Sequence, residues 1–112
     1  MNRDLLWVRY LAECLERIDR CTTDGEEAFL ADSKAQDAVL RNLQVIAETA
    51  QRLSGGLREQ YREMEWEALR SLRNLIVHES LNVSMEHVWE VVACDIPALR
   101  RAVEEMLAEI SR

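Results

Sequence analysis

An all-α chain is what this sequence predicts: four amphipathic helices in an antiparallel bundle, with one short extra connecting helix. Three observations carry that prediction. Hydrophobic residues make up 48% of 112 positions while only three Gly and one Pro interrupt them, a balance that favours long helices over strands and turns. Apolar side chains recur at helical spacing in four long stretches. Brief turn signals separate those stretches, and short links make antiparallel neighbours. The length suits one domain, residues 1–112, around a single core.

Each element follows from local pattern. Residues 4 to 21 form the first helix, with Trp7, Val8, Leu11, Cys14, Leu15 and Ile18 on one stripe. Thr22-Thr23-Asp24-Gly25 interrupts it as a turn. Glu26 to Leu30 reads as a short helical turn, after which Asp32 or Ser33 offers an N-cap. The second helix runs to Leu53 with Val39, Leu43, Ile46, Ala47 and Ala50 inward, and Ser54-Gly55-Gly56 stops it by a left-handed glycine cap. Its outer face carries Lys34, Arg41, Glu48 and Arg52. Leu57 to Met64 is the connecting helix, and Glu65 to Glu79 the third main helix. Asn82-Val83 forms a turn, and Ser84 caps a fourth helix over 85–110. Val88, Val92, Ile96, Leu99, Val103 and Met106 keep one phase through Pro97, so that helix is expected to be kinked and continuous.

Composition excludes several functions. A net charge of −7 argues against non-specific wrapping of nucleic acid, while leaving room for a local basic site. Cys14, Cys21 and Cys94 are spaced for neither a disulfide framework nor zinc, so reduced thiols and a cytoplasmic location are expected. No apolar run approaches the ~20 residues of a membrane span, and no signal-peptide core is visible. His78 and His87 lie on different elements without a paired cysteine, so no metal site is expected. Gly55-Gly56 follows a helix instead of opening one, which removes a Gly-rich phosphate loop. Nothing calls for a cofactor.

Attention then falls on Leu72 to Ser80. With Leu69 at zero on a helical wheel, Leu72 and Ile76 fall within about 60° and Trp66 and Val77 within about 80°. Arg73 lands at about 40°, inside that apolar arc. Asn74 and His78 share the opposite face with Glu67 and Ser71. A cation among core-facing positions needs a partner. Arg73 and His78 are the pair that metal-independent RNA cleavage asks for: a group that titrates near neutrality to move protons, and a permanent cation for charge on the phosphate. An ion-paired arginine beside a surface histidine would leave the same pattern.

A wider pattern bears on that choice. Ala38-Val39-Leu40-Arg41-Asn42-Leu43-Gln44-Val45-Ile46-Ala47-Glu48, then Trp66-(x6)-Arg73-Asn74-Leu75-Ile76-Val77-His78-Glu79, then Val88-Trp89 and Asp95-Ile96-Pro97-Ala98-Leu99 resemble the HepT-like branch of the HEPN superfamily. The resemblance spreads over residues 38 to 107. It implies a HEPN-type helical bundle that forms a homodimer, acts as a ribonuclease toxin on RNA, and is encoded beside a minimal nucleotidyltransferase antitoxin. Arg73 and His78 match the family's Arg-x4-His-x-Tyr motif, and Asn74 matches the polar residue that follows the arginine. In that context Arg41, Arg52 and Arg70 are the candidates for an RNA-backbone track.

One position departs from the motif. Ser80 stands where the family has the tyrosine that the antitoxin adenylylates, so silencing by modification is in question here. On an ideal helix Arg73 and His78 are about 140° apart, too far round to grip one phosphate from one helix. Pairing two copies about a two-fold axis would bring four groups into one cleft. Within one monomer, Arg73 could instead pair with Glu48 and merely orient two helices. The second functional reading is a non-catalytic HEPN adaptor dimer that binds a nucleotide or docks the nucleotidyltransferase.

Overall fold

The computed structural model describes residues 3–64, 66, 67, 69, 70, 72, 74 and 83–111. Among these every regular element is helical. Helix α1, Arg3–Thr22, buries Val8, Leu11, Cys14, Leu15 and Ile18, the stripe that its periodicity predicts. Asp4 in its first turn and Arg20 in its last complement the helix dipole. At its end the Thr22 and Thr23 hydroxyls donate to the carbonyls of Ile18 and Asp19, at 2.7 and 2.8 Å. Gly25 then turns the chain with φ +92°, a region that a Cβ disfavours.

Five residues form α2, Glu26–Leu30, with Phe29 as its buried anchor. Asp32 caps α3, Ser33–Ala50, its carboxylate accepting from the amides of Lys34 and Ala35 at 3.0 and 3.3 Å. Inward on α3 lie Val39, Leu43, Ile46, Ala47 and Ala50, and buried Asn42 donates to the Ala38 carbonyl at 2.8 Å.

Two expectations fail just beyond. Helix α3 ends three residues before Leu53, because the amides of Gln51, Arg52 and Leu53 tighten onto the carbonyls three residues back. That tight turn keeps Leu53 buried, so the apolar phase outlasts the helix. Gly55-Gly56 does not terminate α3 in a left-handed cap. The pair opens α4, Gly55–Gln60, because the Ser54 hydroxyl accepts from the Leu57 amide at 3.2 Å. Asp4 fixes that cap from α1, its carboxylate accepting from the Ser54 amide and hydroxyl at 2.9 and 2.7 Å. The connecting helix is accordingly earlier and shorter than Leu57–Met64.

After α4, turns lead to residues 66, 67, 69, 70, 72 and 74, all helical, and the Trp66 indole donates to the Arg58 carbonyl at 3.2 Å. The rest of the expected third helix lies outside the described residues. Ser84 caps α5, Met85–Glu90, accepting from the His87 amide at 3.3 Å. A wide turn, Val91–Asp95, joins it to α6, Ile96–Ile110. There the Ile96 amide reaches back five residues to the Val91 carbonyl. Pro97 sits in the first turn of α6, and the widened turn before it relieves the clash that a proline ring has with the carbonyl four residues earlier. The continuous helix stands, with its irregularity ahead of the proline.

The core gathers where α1 packs on both α3 and α6, with α2 closing against α1, α3 and α5. Trp7, Trp66 and Trp89 are half-buried against it. The C-terminal end is latched by Glu109, whose Oε2 accepts from Gln60 at 2.6 Å and from the Tyr61 hydroxyl at 2.9 Å. Burial first, and then the Glu109 contact, hold the Tyr61 phenol above its ordinary titration range. A raised acid pKa adds stability that is complete below pH ~10 and lost as pH climbs through the higher folded value. Tyr61→Phe is therefore expected to cost about 0.5–1.5 kcal/mol at neutral pH. It should also flatten the alkaline loss above pH 10, read from urea midpoints at pH 7 and 10.5. No helix of the described residues is long and apolar enough to cross a membrane.

Candidate functional site

The end of α3 and the turn after it face the helical residues Arg70 and Asn74 across an open groove of about 630 Å³. Ala47 and Glu48 come from the last turn of α3, and Gln51 and Arg52 from the tight turn that follows it. Arg70 and Asn74, four apart, form the opposite wall. Small Ala47 leaves the floor open, while the other five residues are polar or charged.

Each cation is held differently. The Arg52 guanidinium carbon lies 5.3 Å from the centre of the Trp7 ring, a cation–π contact that rests the exposed fork on α1. Arg70 pairs with Glu67 at 3.6 Å, both largely exposed. An exposed pair of this kind is worth little and exchanges readily with other anions. Glu48 accepts a hydrogen bond from the Gln44 amide at 3.3 Å. Arg52 and Arg70 thus line one groove, together with the Glu48 carboxylate, in a chain whose net charge is −7.

Of the residues singled out from sequence, the groove unites Asn74, Arg52 and Arg70. Arg41 is exposed earlier on α3, about 16 Å from Arg52 at 1.5 Å per residue, and does not line it. Arg73, His78 and Ser80 lie outside the described residues. Sequence reasoning missed Gln51, although the spacing of 47, 48, 51 and 52 marks a common face; Trp7, on the apolar stripe of α1 as expected, packs half-buried against the core and also carries Arg52. Among the described residues no three His, Cys, Asp or Glu side chains cluster. His87 is exposed and lies 3.7 Å from Glu90 within one turn. Cys14, Cys21 and Cys94 are free, and burial raises the Cys14 thiol above its usual range, which leaves it a weak nucleophile.

Known proteins place this helical chain. Residues 11–106 match the model of the family described as ribonuclease HepT-like, and the chain belongs to that family. A "putative RNase" of Caldanaerobacter subterraneus subsp. tengcongensis is 30% identical over 97 residues, covering 87% of both chains. The "probable ribonuclease HepT" of Thermococcus cleftensis is 30% identical over 97 residues, 86% of this chain and 88% of that one. A Methanocaldococcus jannaschii protein named "gamma-glutamylcyclotransferase and putative RNase" is 28% identical across 100% of this chain, which spans 51% of that protein's length. No solved structure matches.

Proposed function

We propose that the chain is a metal-independent endoribonuclease, the toxin of a pair whose antitoxin is a minimal nucleotidyltransferase. It folds as one HEPN-type antiparallel four-helix bundle over 1–112 and cuts RNA at a composite site on the seam of a homodimer. The observation that carries this reading is Arg73-x4-His78 inside a chain that matches the ribonuclease family over residues 11–106. Asn74, next to Arg73, faces a groove that already holds Arg52 and Arg70.

In this reading the 2′-oxygen of RNA attacks the adjacent phosphorus and the bond to the 5′-oxygen breaks. One proton leaves the 2′-hydroxyl and another reaches the departing oxygen. His78 moves protons because imidazole titrates near neutrality, and Arg73 stabilises the growing charge on the phosphoryl oxygens. Asn74 orients the phosphate by hydrogen bonding. The products are a 2′,3′-cyclic phosphate, or its hydrolysis product, and a 5′-hydroxyl.

Incubating the purified chain with single-stranded RNA in EDTA tests this directly. Cleavage at an undiminished rate, with cyclic-phosphate ends and a dimer in sedimentation equilibrium, is expected. Activity that needs added magnesium would remove the mechanism. A stable dimer that leaves every RNA intact would mean the non-catalytic adaptor, which binds a nucleotide or docks the nucleotidyltransferase.

Ser80 carries a prediction about control. The serine hydroxyl sits one bond beyond Cβ, whereas a tyrosine ring carries its hydroxyl well clear of the helix. The antitoxin is therefore expected to inhibit by covering the cleft, without transferring AMP to residue 80. Intact-mass measurement after incubation with partner, ATP and magnesium checks it: a gain of one AMP mapped to Ser80 would defeat the idea.

A further inference from the structure

We propose that the groove between the end of α3 and the helical residues Arg70 and Asn74 is a nucleotide subsite for single-stranded RNA, with Arg52 as a stacking and phosphate-binding platform and Arg70 as a second phosphate contact. The role of this subsite in cleavage rests on the ribonuclease reading above, because Asn74, which lines the groove, directly follows Arg73 in the sequence.

Size comes first. About 630 Å³ falls within the 300–1,000 Å³ typical of small-ligand pockets, and it is open along one side, so a strand can enter and leave. Chemistry comes second. Single-stranded RNA is gripped by cations that follow its phosphates and by flat groups on which bases stack, guanidinium planes included. Arg52 offers both. Trp7 supports it at 5.3 Å, and an arginine already resting on an indole loses less side-chain freedom when a base settles on it. Among the described residues no carboxylate lies within ion-pair distance of Arg52. Among the described residues Arg70 pairs with exposed Glu67 at 3.6 Å, a contact that a phosphate can displace. Gln51 lines the same groove with an amide that can both donate to and accept from a base edge. The chain as a whole carries net −7, so a groove lined by two arginines and a single carboxylate, Glu48, stands out as a place where a strand can lie.

The experiment separates binding from cutting. A fluorescein-labelled single-stranded oligoribonucleotide is titrated by anisotropy at several salt concentrations against the full chain carrying His78→Ala, and again with Arg52→Gln, Arg70→Gln or Arg20→Gln added. Arg52→Gln and Arg70→Gln are each expected to weaken binding about tenfold and to lower the salt slope by about 0.7, the loss of one phosphate contact on a single strand. Arg52→Lys keeps the charge and loses the plane, so it should retain the salt slope while binding several-fold more weakly. Arg20→Gln, at the far end of α1, controls for net charge and should bind as its parent does. Melting curves confirm folding, and Arg52→Lys supplies a gentler probe should Arg52→Gln unfold. If the Arg52 and Arg70 variants match Arg20→Gln in affinity and slope, the subsite is disproved. A parent chain that binds through Arg52 and Arg70 but whose active form cuts no RNA would keep the groove and remove the ribonuclease. A chain that cuts RNA with KM unchanged in both variants would do the reverse.

Discussion

Replacing His78 by alanine is expected to slow RNA cleavage by about 10²–10⁴-fold, the usual contribution of a positioned acid–base group. Arg73→Ala should cost a comparable ~10²–10³-fold, because charge on the phosphoryl oxygens then develops without its cation. Initial rates on a labelled oligoribonucleotide measure both, and rates equal to the parent's would count decisively against the catalytic pair. The two variants also test where the site lies. A heterodimer of one His78→Ala and one Arg73→Ala protomer pairs an intact Arg73 from the first with an intact His78 from the second. A composite site should therefore regain a substantial part of the parent rate when the inactive variants are mixed and allowed to exchange. A site confined to one protomer has no such rescue, since each chain lacks one of its two groups.

The elements legible in the sequence were those whose buried stripe and cap are local. Val8 to Ile18, Asp32 with its two amides, and Ser84 with His87 all announce themselves within a few residues. Where the cause is distant, the reading went astray. The glycine pair at 55–56 looks like a helix stop until Asp4, fifty residues earlier, is found holding Ser54 as the cap of the next helix. Leu53 extended the apparent phase of α3 because a tight turn buries it as well as another helical turn would. Near Pro97 the phase suggested Val92 as the inward residue, yet Val91 is the buried one and Val92 only half-buried. The wide turn at Val91–Asp95 rotates the stripe there, and an apolar run of two valines cannot reveal which faces in.

Site residues divide in the same way. Arginines 41, 52 and 70 look equivalent as exposed cations in sequence, and only packing ranks them. Trp7 is seven residues from the start of the chain and supports Arg52, forty-five residues later, so no window of sequence contains the contact. Gln51 was silent because a lone amide near a helix end carries no signal until Arg70 and Asn74 stand opposite. Arg73 and His78 are the opposite case: spacing and family pattern single them out, and they lie outside the described residues.

The largest expected effect on stability belongs to Phe29→Ala. Helix α2 has five residues, far too few to hold helical form by backbone bonds alone. Tertiary contacts hold it: Phe29 is 1% exposed, its ring centre lies 5.5 Å from that of Trp89, and the planes are tilted by 38°. The Gln36 amide adds a clasp from α3, donating to the Phe29 and Leu30 carbonyls at 3.1 and 3.0 Å. Deleting the phenyl ring leaves a cavity where α2 packs against α3 and α5. Such truncations cost about 3–5 kcal/mol, a large part of the ~5–15 kcal/mol that holds a domain folded. The melting temperature should fall by on the order of 15 °C, followed by circular dichroism, while Phe29→Leu should lose roughly a third of that. Because Phe29 does not line the groove, whatever fraction remains folded at low temperature should bind RNA with the parent's affinity and salt slope. A melt within about 3 °C of the parent would mean that α2 is seated by the clasp and not by the ring.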